Sequence, residues 1–120
     1  MDDRKYVKRR RVPRRAYDGR VGLLFHGNYE VCRASQIGEG GMMLHSPTEM
    51  QVGDCVVLTF QPPGVEQTVV QSVVRFAMKD EESGNGFKYG LEFKNLEFQA
   101  KRQIRSFVAS KKVADIKIAA

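Results

Sequence analysis

Several functional classes are excluded by what this chain lacks. Its 120 residues hold two cysteines and two histidines. Cys32 and Cys55 show no C-x-x-C spacing, so they form half a metal-ligand set at best, and no metal site is expected. Both fall in apolar runs and are expected to be buried free thiols. His26 and His45 belong to no recognisable constellation with a carboxylate or nucleophile and read as surface or turn residues. No catalytic set emerges, and an enzyme is not expected. No apolar run approaches the length of a membrane span. The opening Met1-Asp2-Asp3-Arg4-Lys5 has no apolar core behind it and does not read as a secretory signal. The expectation is a cytoplasmic chain without membrane insertion, and without internal repeats.

What is present is charge of one sign, unevenly placed. The net charge is +6, and between Arg4 and Arg20 nine Lys or Arg face a single acid, Asp18. A localised basic segment suits a polyanion, a nucleotide or a membrane surface, or else is a solvated tail that aids solubility. Residues 1–15 lack hydrophobic periodicity, and Pro13 biases Val12 toward extended geometry, so this stretch reads as an arm.

From Ala16 the pattern becomes that of short strands: Arg20 to Phe25, a turn over His26-Gly27-Asn28, Tyr29 to Ser35, and Met42 to His45. Cys55 to Phe60 is a β-branched strand. Gln67 to Phe76 is longer, with a bend expected near Gln71-Ser72. Asp80 to Gly86 is polar and reads as a solvated hairpin tip. In Phe87 to Phe93, Phe87, Tyr89, Leu91 and Phe93 share one face. The period then changes to 3.6, with Leu96, Ala100, Ile104, Phe107 and Val108 on one helical stripe and Asn95 as a candidate N-cap. Residues 111–120 read either as a helical extension or as a loose tail. Six strands and one helix give an all-β expectation: a six-stranded antiparallel β-barrel with the C-terminal helix packed at one end. The division expected is a basic arm (1–15), barrel plus helix (16–110) and tail (111–120).

The stretch Gln36-Ile37-Gly38-Glu39-Gly40-Gly41-Met42 carries three of the eleven glycines. A Gly-rich turn between strands is either a bulged hairpin or a place where a ligand lies against the main chain.

These pieces together resemble a PilZ domain, a small bacterial barrel that commonly binds cyclic di-GMP. Arg10-Arg11-Val12-Pro13-Arg14 is similar to the family's R-x-x-x-R motif. Gln36 to Met42 is similar to its D/N-x-S-x-x-G turn, with Gln36 in place of Asp or Asn and Gly38 in place of Ser. Val52 to Phe60 and Tyr89-Gly90-Leu91-Glu92-Phe93 extend the resemblance over roughly residues 8–110. Arg11 and Arg15 are also four apart, but Arg10 and Arg14 fit better because Pro13 directly precedes Arg14.

The resemblance implies a receptor and adaptor module without a cofactor, whose ligand is cyclic di-GMP. It would be held by Arg9, Arg10, Arg11 and Arg14 of the arm and by Gln36, Gly38 and Gly41 of the turn, and the signal would pass to a protein partner. Guanidinium suits this ligand because its planar fork reads phosphate or the guanine O6/N7 edge and its face stacks on a purine. A side-chain amide accepts from guanine N1–H and donates to O6, a role Gln36 retains with one added methylene. The alternative is a degenerate member that binds no nucleotide and serves as a protein-interaction module in motility, pilus or secretion machinery. Nucleic acid is not an expected partner, since the strand aromatics are needed for the core and no stacking platform is left over. Monomer and homodimer both remain open.

Overall fold

The computed structural model describes residues 14–81 and 86–119, with backbone alone beyond 110. Its elements are β1 (Arg14–Phe25), β2 (Asn28–Gly38), β3 (Gly41–Ser46), β4 (Cys55–Phe60), β5 (Thr68–Lys79), β6 (Phe87–Lys94) and α1 (Phe98–Ala119). The strands form a closed antiparallel barrel in the order β1-β2-β3-β6-β5-β4. Closure comes from the C-terminal half of β1, where Gly22, Leu23 and Leu24 pair with Thr59, Leu58 and Val57 of β4. The six strands and single helix are those anticipated from the sequence.

Alternation explains which side chains fill the barrel. Val21, Leu23, Leu44, Leu58, Val74 and Tyr89 point inward and are fully buried. Ile104, Phe107 and Val108 of α1 cover one end at helical spacing and complete the same core. There Phe107 meets Tyr17 edge-on at 5.9 Å, and Phe60 stacks on Phe93 at 5.6 Å. Such offset and edge contacts are the favoured aromatic arrangements.

Several local expectations are corrected. β1 begins at Arg14, six residues before the strand read from the sequence, because pairing with β2 continues from Gly19 to Arg14 past an irregularity at Tyr17-Asp18. The β1–β2 turn is only His26-Gly27, both at positive φ (52° and 79°), which matches the twist of a tight hairpin. The irregularity in β5 lies between Val74 and Phe76, not at Gln71-Ser72. Asn95 is not the N-cap. It takes a left-handed conformation (φ 55°), which a short polar side chain tolerates, and turns the chain into the helix. The first helical bond runs from Lys101 N–H to the Glu97 carbonyl at 2.9 Å, so Glu97 occupies the cap position. The helical backbone continues to Ala119. Cys32 is buried as expected, whereas Cys55 is exposed because it opens β4 on the outward side of the alternation. Asp80, expected at a solvated tip, is buried.

Candidate functional site

The glycine stretch is mostly strand. Gln36 to Gly38 end β2 and Gly41 starts β3, leaving Glu39-Gly40 as the turn. None of Gly38, Gly40 and Gly41 sits at positive φ. The requirement for glycine at 41 is steric: a Cβ there would lie 2.0 Å from the Leu91 carbonyl oxygen and 3.0 Å from its carbon. The main chain of β3 thus approaches β6 more closely than any side chain permits. Gly40 meets nothing within 4 Å.

The register brings four of the candidate residues together. Arg14 is opposite Gly38, Gly38 is opposite Gly41, and Gly41 is opposite Glu92, one continuous row across β1, β2, β3 and β6. Past the intervening row of Arg15, Ile37, Met42 and Leu91, the next row on the same face is Ala16, Gln36, Met43 and Gly90. Residues directly opposite in a sheet share a face. Gln36 and Arg14 are both exposed, so they stand on the outer wall of the barrel, two pairs apart along the ladder.

Gln36 reaches that wall through a bulge. Cys32 and Ala34 point inward, and simple alternation would carry Gln36 inward too. The pairings Ala34–Leu44 and Gln36–Met43 leave Ser35 as an extra residue of β2. That bulge turns Gln36 outward and Ile37 into the core. Arg9, Arg10 and Arg11 lie outside the described residues.

Arg14 and Arg15 project to opposite sides of β1. Arg15 donates from Nη1 to the Phe107 carbonyl at 2.8 Å, and its guanidinium lies 3.5 Å over the Phe107 ring. It clasps α1 onto β1 through a cation–π contact and a charged hydrogen bond. Arg14 is exposed on the same wall as Gln36.

Sequence reasoning did not anticipate several groups beside this wall. Arg20 is opposite Arg33, Arg33 opposite His45, and His45 opposite Lys88, a row of basic side chains parallel to the Gln36 row. Arg33 is bridged by the Asp18 carboxylate. His45, read as partnerless, has Nδ1 2.5 Å from Oδ2 of the buried Asp80. Glu39 accepts from Arg105 Nε at 2.7 Å and Nη2 at 3.0 Å, a bidentate pair that ties the β2–β3 turn to α1. The hydrogen bonds from Arg105 hold the Glu39 carboxyl below its ordinary pKa. No spacing in the sequence could have linked these pairs, whose partners stand 35 and 66 positions apart.

At the barrel end away from α1, Glu30 accepts from Ser46 Oγ at 2.5 Å and Thr48 Oγ1 at 3.1 Å, and Cys32 Sγ donates to it at 3.4 Å. Burial first, and then the Glu30 charge, push the Cys32 thiol up to about 12. A thiol so raised is chemically inert at neutral pH. Among the described residues no group of three or more His, Cys, Asp or Glu is placed to hold a metal ion. No described helix is long and apolar enough to cross a membrane.

Comparison with known proteins follows the same outline. Among solved structures, the motility inhibitor MotI/DgrA of Bacillus subtilis is similar with a TM-score of 0.78 at 16% identity, over 87% of this chain and 51% of that one. The PilZ domain of YcgR from Escherichia coli, solved with c-di-GMP, gives 0.70 at 14% identity, covering 92% of this chain and 97% of that one. MrkH of Klebsiella pneumoniae, solved as a c-di-GMP complex, gives 0.66 at 20% identity over 86% and 51%. These likenesses establish the fold, and this chain spans about half the length of MotI/DgrA and of MrkH. No curated protein gives a significant sequence match. The PilZ domain model matches residues 8–110, nearly the whole length, and the chain belongs to the PilZ domain family.

Proposed function

We propose that this protein is a cyclic di-GMP receptor module, with the dinucleotide held on the outer wall of β1, β2 and β3 beneath the arginine arm. The observation that carries the reading is the cross-strand row of Arg14, Gly38 and Gly41 with Gln36 two pairs away on the same face. It gives one guanidinium and one base-reading amide, on either side of the paired glycines, within reach of a single ligand. The family match and the c-di-GMP complexes of YcgR and MrkH support the choice of ligand. Arg20 and Lys88 add positive potential along the same wall, which raises the local concentration of a dianion.

In this mechanism, Arg9, Arg10 and Arg11 close over the nucleotide while Arg14 anchors the arm at its root. Ordering the arm costs about 1–2 kcal/mol per residue. Each charge-assisted hydrogen bond returns roughly 1.5–3 kcal/mol, and each stacked base about 1–3 kcal/mol. The terms are comparable, so the loss of one arginine opens the clamp. Ordering of the arm is also the signal that a partner protein reads. Calorimetric titration with cyclic di-GMP tests this. Arg10→Ala and Arg14→Ala each weaken binding at least tenfold, and Arg102→Ala on α1 leaves it unchanged. Absence of heat from a folded protein at tens of micromolar nucleotide refutes it.

A further inference from the structure

The row that holds Gln36 runs on beyond the arm and the glycine stretch. Gln36 is opposite Met43, Met43 opposite Gly90, and Gly90 opposite Phe76, one line across β2, β3, β6 and β5. Phe76 reaches this line by the same device as Gln36. Thr68, Val70, Ser72 and Val74 are buried in alternation along β5, and simple continuation would carry Phe76 into the core. The pairings Val74–Leu91 and Phe76–Gly90 leave Arg75 as an extra residue, and Phe76 emerges 38% exposed. Two bulges, at Ser35 and at Arg75, thus turn an amide and an aromatic ring onto one row from either side. Bulges are enriched beside active sites because the inserted residue re-aims a side chain.

The ring lies over Gly90: a Cβ on that glycine would stand 2.5 Å from Phe76 Cδ1 and 2.8 Å from Cε1. It therefore leans from β5 over β6, on the side of Met43. Met43 is half-buried and faces outward between the buried Met42 and Leu44. Ring and thioether together form an apolar floor beside the Gln36 amide. At a strand spacing of about 4.8 Å, the floor from β2 to β6 is roughly 10 Å wide, room for a purine lying flat. Tyr29 lies over Gly22 elsewhere on the barrel without a bulge beside it, so a ring over a glycine is by itself a packing device. Phe76 differs in its bulge and in sharing a row with the base-reading amide.

We infer that Phe76 and Met43 are the floor on which a guanine of the dinucleotide rests while Gln36 reads its edge. The inference rests on the nucleotide reading of this wall and adds the surface that selects a base, where the arginines select a phosphate. Calorimetric titration of the full chain with cyclic di-GMP tests it, with thermal melting of each variant alongside. Phe76→Ala weakens binding about fivefold or more, the effect of losing one base–aromatic contact, and Phe76→Trp retains wild-type affinity. Gly90→Ala keeps the ring but pushes it aside, and it also weakens binding. Tyr29→Ala removes a ring from the other glycine and leaves affinity unchanged. In the unaltered protein, saturation with nucleotide moves the Met43 methyl resonance upfield, under the ring current of the base. Folded Phe76→Ala and Gly90→Ala variants that bind like wild type overturn the inference, as does a Met43 methyl that stays in place at saturation. In both cases the nucleotide reading stands, because the wild type binds. A folded wild type that gives no heat overturns both.

Discussion

Replacing Gly41 by alanine separates steric necessity from conformational freedom in the glycine stretch. The added Cβ would start 2.0 Å from the Leu91 carbonyl oxygen and 3.2 Å from Glu92 Cα, where ordinary contact begins near 3.4 Å. Both neighbours are main chain and have no rotamer to give way. β3 and β6 must part by about 1 Å at a point where Met42 pairs with Leu91, which stretches the ladder on either side. Overpacking of this kind costs about 1–3 kcal/mol, and a weakened ladder bond adds roughly 0.5–1.5 kcal/mol. The lower entropy of the unfolded alanine chain offsets about 0.4–1 kcal/mol of that. The net loss is about 0.5–4 kcal/mol, centred near 2 kcal/mol, a fall of roughly 8 °C in Tm at the centre of that range for a domain of this size. Gly40→Ala is the control one residue away. It meets nothing within 4 Å and is not left-handed, so it gains about 0.4–1 kcal/mol from the same entropic term. Thermal unfolding by circular dichroism reads both variants. If Gly41→Ala melts with the wild type, or the two variants shift together, the close approach of β3 to β6 is not what demands glycine.

Other consequences follow from single groups. Tyr89 Oη donates to the Thr48 carbonyl at 2.7 Å and accepts from Met50 N–H at 2.8 Å, so Tyr89→Phe strands a buried donor. It should cost about 1–3 kcal/mol, seen as a lower urea midpoint at unchanged m-value. Glu39 has its pKa depressed by Arg105, so the pair contributes above the ordinary carboxylate pKa and is lost as pH falls through the lowered one. Glu39→Gln is accordingly less stable than wild type at pH 7, and urea midpoints of the two converge on acidification; a gap that persists at pH 2–3 contradicts the assignment. Native protein should incorporate one equivalent of a thiol reagent at neutral pH, at Cys55, and a second only on unfolding, because Cys32 is buried and raised to about 12. Rapid double labelling would place Cys32 outside the core.

The six strands and the helix were legible because their burial follows simple periods. Phe87, Tyr89, Leu91 and Phe93 alternate without interruption, and Ile104, Phe107 and Val108 recur at helical spacing. The bulge at Ser35 was not legible, since one inserted residue changes which face Gln36 occupies without altering composition. Nor was the extent of β1, whose first residues are polar and owe their strand conformation to pairing with Gln36, Ile37 and Gly38. Cys55 read as core because it adjoins a β-branched run, and its position at the start of β4 places it outside.

By itself the sequence determined the class of the fold, the family and the two features that suit an anionic ligand, an arginine cluster and a glycine-rich stretch. These are properties of composition and local spacing, which a linear chain carries intact. Only the tertiary structure decided that Arg14, Gly38 and Gly41 stand in one row, that Arg15 is committed to α1, and that Gly41 is glycine because Leu91 leaves no room. Those facts depend on register and on strand approach. Register is set when the whole barrel closes, and no local stretch of sequence contains it.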